Sequence, residues 1–145
     1  MTKRSDYLMA CLSLLKAATP YVWGGRTRIG VDCSGFPGLA LYEASKGQQD
    51  LRGYNTDLFW SKLPRIGFAE IRAGDLILYW GLKPKDENDV SHLMVYAGEG
   101  VCFGQAYGGP KDTDPSASRL AGRVTQVVPV TYRSDLAGFV RMPVF

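Results

Sequence analysis

Apolar positions recur at helical spacing between Asp6 and Ala18. Tyr7, Leu8, Cys11, Leu14, Leu15 and Ala18 share one face, which predicts an amphipathic helix. Ser5 or Asp6 can cap its start and Thr19-Pro20 ends it. Cys11 lies on the apolar stripe and reads as core packing. Tyr21 to Val31 has three glycines and no period, which predicts a loop. A second helix is expected from Asp32 or Cys33 to about Ser45, with Gly47 beyond its end and Pro37 tolerated only near its first turn. Thr56 to Leu63 predicts a short third helix, stopped by Pro64.

The pattern then changes to short apolar runs. Asp75 to Trp80, His92 to Tyr96, Val101 to Ala106, Val124 to Tyr132 and Gly138 to Met142 predict strands, with a tight turn at Gly98-Glu99-Gly100. Lys83 to Asp89 and Gly108 to Ser118 read as polar loops. Helices first and strands after predict an α+β fold, with N-terminal helices packed on an antiparallel sheet of about five or six strands. A length of 145 residues predicts one domain, residues 1–145.

Composition narrows the function. Hydrophobic residues make up 46% and charged residues 21%, as in an ordinary soluble globular chain. A net charge of +3, with positive residues scattered, argues against nucleic acid as a partner. No run approaches the ~18 apolar residues of a membrane span, so membrane insertion is not expected. Leu8-Met9-Ala10-Cys11 imitates a lipoprotein cleavage site, but Asp6 and Lys16 bracket too short an apolar run for a signal segment. Cys11, Cys33 and Cys102 are too few for a disulfide framework, and one histidine makes a Cys/His zinc site improbable; no metal or organic cofactor is expected.

Three residues suggest chemistry. Cys33 is expected at a helix start, where unpaired N–H groups and the helix dipole favour a thiolate, against the neighbouring charge of Asp32. His92, the sole histidine, opens a predicted strand at a sheet edge. If the hairpin closes at Gly98-Glu99-Gly100, Gln105 on the returning strand comes near the level of His92, where its side-chain oxygen can fix the imidazole tautomer. Gln126 is a weaker substitute for that third role. Each residue alone also has a bland reading, as buried filler, surface histidine or solvated strand glutamine. Together they form a nucleophile, a base and an orienting group.

The motif around them extends the reading. Pro20-Tyr-Val-Trp-Gly-Gly25 followed by Gly30-Val-Asp-Cys-Ser-Gly35 resembles the NlpC/P60 family of cell-wall peptidases, as do Ala73-Gly-Asp75-Leu, His92-Leu-Met-Val-Tyr-Ala-Gly98 and Phe103-Gly-Gln105-Ala106 downstream. The departures are Pro37 after Phe36, Ala73 where the family has proline, and Gln105 where histidine is common. The resemblance implies a papain-like fold. It implies Cys33 as nucleophile, His92 as general base and then acid, and Gln105 as orienting group. Tyr21 and the Cys33 N–H would serve the oxyanion, Asp32 and Ser34 would line the substrate cleft, and Trp23 would wall it.

The implied activity is hydrolysis of peptidoglycan stem peptides, at the bond between D-glutamate and a diamino acid. The alternatives are an amidase of the CHAP type, an acyltransferase, or a non-catalytic module that holds stem peptides without cutting them. The expected ligand is the stem peptide, the expected state a monomer. Synthesis in the cytoplasm without a recognised signal suggests a phage-type enzyme or secreted effector acting on the wall, with an immunity or delivery protein as a further partner.

Overall fold

The computed structural model describes residues 1–81, 86 and 89–145. Helix α1 spans Arg4–Lys16, and buries Tyr7, Cys11 and Leu14 as the apolar stripe requires. Where a loop was expected, Arg26–Thr27 (β1) and Gly30–Val31 (β2) pair as a short antiparallel ribbon. The ribbon follows from close backbone approach rather than from side-chain period. A Cβ on Gly25 would lie 2.4 Å from the Gly30 carbonyl oxygen, and one on Gly35 would lie 2.1 Å from that of Gly25. The glycines therefore let three backbone segments touch in front of the next helix.

Helix α2 spans Gly35–Ala44, so it begins two or three residues later than the sequence suggested. The Asp32 carboxylate accepts the Gly35 N–H at 2.7 Å, and Phe36 N–H reaches the Asp32 carbonyl at 3.2 Å. A capped turn thus precedes the helix and carries Cys33, while Pro37 falls in the first turn, where its missing N–H costs nothing. Helix α3 spans Thr56–Lys62, with Asn55 as N-cap accepting from Leu58 N–H.

The remaining strands are Arg65–Ile66 (β3), Leu76–Tyr79 (β4), His92–Gly98 (β5), Val101–Gly104 (β6), Gln126–Pro129 (β7) and Leu136–Val140 (β8). They form one antiparallel sheet in the order β3-β8-β4-β5-β6-β7. Both faces are covered, which explains why β4 reads as an unbroken apolar run. Leu76, Leu78, Leu93, Val95, Phe103 and Val140 pack with α1 and α2, with Phe36 of α2 tilted on Phe103 at 6.1 Å. Ile77, Tyr79, Met94, Cys102, Ala106 and Phe139 form the second core, closed by Val128, Val130 and Tyr132.

Several expectations change. The polar segment Gly108–Ser118 contains the start of helix α4, Pro115–Leu120, capped by Asp114. The expected strand Val124–Tyr132 ends at Pro129, where the chain turns into a 3-10 helix over Val130–Tyr132. The strand begun at Val101 ends at Gly104, whose φ of +142° breaks the strand conformation before Gln105. His92 does not lie on an edge strand. It opens β5, which has β4 on one side and β6 on the other. Of the expected loop Lys83–Asp89, all but Asp86 and Asp89 lie outside the described residues.

Asp75 anchors the frame beneath the site. Its buried carboxylate accepts from Arg72 N–H and Met142 N–H, and pairs with Arg4 at 3.3 Å and Arg141 at 3.2 Å. The Ala73-Gly-Asp75 motif is therefore structural, tying α1 and the C-terminal segment to β4.

Candidate functional site

A cleft of about 640 Å³ opens where the turn before α2 meets the first residues of β5. Tyr21, Trp23, Asp32, Cys33, Ser34, His92 and Gln105 all line it, with Arg26 and Arg133. All seven residues singled out from the sequence thus converge on one cavity.

Cys33 is partly exposed, whereas Cys11 and Cys102 are buried and all three thiols are free. The backbone N–H groups of Leu93 and Ser34 act on the Cys33 thiol, which lines the same cleft as His92. Those donors favour a thiolate, but they do not win. Burial first, and the Asp32 charge second, push the Cys33 thiol up to about 11. The lowered thiol pKa expected from a helix start is therefore corrected. The helix begins past Cys33, and the carboxylate that caps it faces the sulfur.

His92 is nine-tenths buried, and its pKa is pushed down to about 3, by burial first and by the Arg133 guanidinium second. The site without ligand thus holds a thiol and a neutral imidazole rather than an ion pair. Chemically, it pairs a soft nucleophile with a base able to take its proton.

The ring of His92 is held by aromatic neighbours. Its centroid lies 5.6 Å from that of Tyr79 and 6.4 Å from that of Tyr132. His92 Nε2 lies 2.7 Å from Tyr132 Oη, and Tyr132 Oη donates to the Ala106 carbonyl at 3.3 Å. Gln105 is not the group bound to the imidazole. The β5–β6 ladder runs only from Val95 and Phe103 to Gly98 and Val101, so His92 and Gln105 both lie beyond its paired residues. Gln105 is fully buried, its Nε2 donating to the Thr19 carbonyl at 2.8 Å, while its Oε1 has no partner. Tyr132 is the residue the sequence did not reveal. Forty positions separate it from His92, and no motif marks it.

Asp32 faces inward. Its carboxylate accepts from Gly24 N–H at 3.1 Å, Ser34 Oγ at 3.1 Å and Gly35 N–H at 2.7 Å, and pairs with Arg26 at 2.5 Å. Ser34 is buried and committed to that carboxylate. Tyr21 lies with its ring against Gly108, where a Cβ would stand 2.4 Å from the ring. Burial raises the Tyr21 phenol above its ordinary range, as do the nearby Cys33 and Asp32. Trp23 is half exposed at the cleft mouth, its backbone N–H donating to the Asp112 carbonyl. Gln126 pairs with Gly104 across β6 and β7 but does not line the cleft, its side chain donating to the Gly122 carbonyl.

Among the described residues, no group of three His, Cys, Asp or Glu side chains is placed to hold a metal ion. Among the described residues, no helix is long and apolar enough to cross a membrane either.

Comparison with known proteins agrees with the fold. The chain is 35% identical over 81 residues to the probable peptidoglycan endopeptidase LytE of Bacillus subtilis, covering 55% of this chain and 21% of LytE. It is 38% identical over 63 residues to Protein P54 of Enterococcus faecium, covering 43% of this chain and 11% of P54. The chain thus spans about a fifth or less of those relatives. Among solved structures, the NlpC/p60 domain of the peptidoglycan hydrolase SagA superposes with a TM-score of 0.68 at 25% identity, covering 97% and 99% of the two chains. RipD of Mycobacterium tuberculosis, a non-catalytic NlpC/p60 domain protein adapted to peptidoglycan binding, shares the fold at 21% identity, with a TM-score of 0.66 and 96% of each chain covered. The model of the NlpC/P60 family matches residues 18–128, a span that runs from the end of α1 through the cysteine turn and the histidine strand to β7, and this chain belongs to that family.

Proposed function

We propose that this chain is a cysteine peptidase that cuts peptidoglycan stem peptides, at the bond between D-glutamate and a diamino acid. One observation carries the reading. Cys33 and His92, far apart in the sequence, both line one open cleft. Family membership and the likeness to LytE and SagA support peptidoglycan as the substrate. The cell wall is then where it acts.

In this mechanism His92 takes the Cys33 proton as the sulfur attacks the scissile carbonyl, forming a C–S bond and a tetrahedral oxyanion. The Cys33 N–H and the Tyr21 hydroxyl are the proposed oxyanion donors. The C–N bond then breaks, and the imidazolium returns its proton to the leaving amine. Water, deprotonated by His92, attacks the thioester and releases the acid and the thiol. Asp32, already committed to four donors, acts in this account by shaping the turn, with Trp23 walling the cleft mouth.

A second reading is a stem-peptide binding module. RipD, a non-catalytic NlpC/p60 domain protein that shares the fold, favours it. Mass spectrometry of muropeptides incubated with the protein separates the readings. New D-glutamyl carboxyl and diamino-acid amino termini uphold the peptidase. Cleavage at the amide linking the stem peptide to the glycan would replace it with an amidase, and unchanged muropeptides with a binding module.

A further inference from the structure

We infer that the Tyr132 hydroxyl, rather than Gln105, fixes the tautomer of His92, holding Nε2–H and leaving Nδ1 as the base. The inference rests on the reading of Cys33 and His92 as nucleophile and base, but its test does not. Tyr132 has one hydroxyl hydrogen, and the Ala106 carbonyl at 3.3 Å is placed to take it. The phenol oxygen is then left to accept at the 2.7 Å contact with His92 Nε2. In that arrangement the single N–H of a neutral imidazole is on Nε2 and Nδ1 is bare.

The tyrosine is itself held in place. Its ring stands edge-on to Tyr79 at 5.8 Å and to Tyr107 at 6.0 Å. The Tyr79 hydroxyl donates to the Val130 carbonyl at 2.9 Å and so pins the 3-10 turn that carries Tyr132. Gln105 turns its amide nitrogen to the Thr19 carbonyl rather than its oxygen to the ring, and the strand that would have delivered it to the ring ends at Gly104. Tyr132 is therefore a positioning residue supplied from a turn outside the β5–β6 hairpin.

Because His92 is the sole histidine, one pair of imidazole nitrogen signals reports the tautomer without ambiguity. Long-range proton–nitrogen correlation on nitrogen-labelled full chain, at about pH 7.5, where an ordinary imidazole is neutral, is expected to show Nε2–H in the native protein and in Cys33→Ala. Tyr132→Phe should give mixed tautomers, whereas Gln105→Asn should leave Nε2–H dominant. In turnover, Tyr132→Phe should lower kcat about 10- to 100-fold with KM little changed. A native Nδ1–H signal, a tautomer indifferent to Tyr132→Phe, or one that mixes in Gln105→Asn would overturn the assignment. A protein that cuts no muropeptide while its tautomer follows Tyr132 upholds the assignment and removes the peptidase reading alone.

Discussion

The Asp32 carboxylate accepts the Gly35 N–H at 2.7 Å and so caps the helix that follows the cysteine. The same carboxylate gathers Gly24, Arg26 and Ser34 around it. Asp32→Ala leaves a partly buried guanidinium and three donors without their acceptor. It should lower unfolding stability by about 2–4 kcal/mol. Chemical denaturation measures this, and a loss under about 0.5 kcal/mol, the ordinary surface range, would show that the carboxylate is free for substrate.

A second prediction concerns glycine. A Cβ at Gly35 meets the Gly25 carbonyl oxygen at 2.1 Å and the Arg26 guanidinium at 2.9 Å. Backbone cannot swing aside as a side chain can, so Gly35→Ala should cost at least about 2 kcal/mol and misplace the Cys33 turn. Gly53→Ala, with open space around its Cβ, is the matched control and should stay within about 0.5 kcal/mol. Melting curves of the two variants decide it, and equal stabilities would refute the close-approach account.

The glycines also mark where the sequence stopped being legible. Helix α1, the turn at Glu99 and strands β4 and β5 were readable because apolar period and turn residues agree there. Ribbon β1–β2 was not, because two-residue strands have no period to display. Helix α4 did carry a signal, Asp114-Pro115 as cap and first position, but its polar composition disguised it. Pro129 likewise warned that Val124–Tyr132 could not be one strand. The family was legible through the motifs around Cys33 and His92, and its model matches residues 18–128. The partner of the imidazole was not, because a phenol meeting a ring forty residues away is a product of folding alone.

The buried imidazole makes stability depend on pH. The His92 pKa lies near 3 in the folded chain, against 6.5 for an ordinary imidazole. The unfolded chain therefore binds an extra proton between those values, and stability falls as pH drops below 6.5. The slope should be up to about 1.4 kcal/mol per pH unit. Denaturation between pH 6.5 and 4.5 tests it. His92→Gln should flatten the slope, and an unchanged slope would place the titration elsewhere.

The thiol should respond in the opposite range. With Cys33 pushed up to about 11, its thiolate fraction grows about tenfold per pH unit through neutrality. Iodoacetamide labelling of the ligand-free protein should thus accelerate without a plateau from about pH 7 to 9. Cys11 and Cys102, both buried, should remain unlabelled until the chain unfolds. A labelling plateau below about pH 7 would reveal a preformed thiolate–imidazolium pair instead.

The most direct measurement compares turnover of a defined stem peptide by the native chain and by Cys33→Ala, with folding of the variant checked by its melting curve. The native chain should release two peptide products, and the folded variant none above background. A folded Cys33→Ala protein that still cuts the peptide would contradict it.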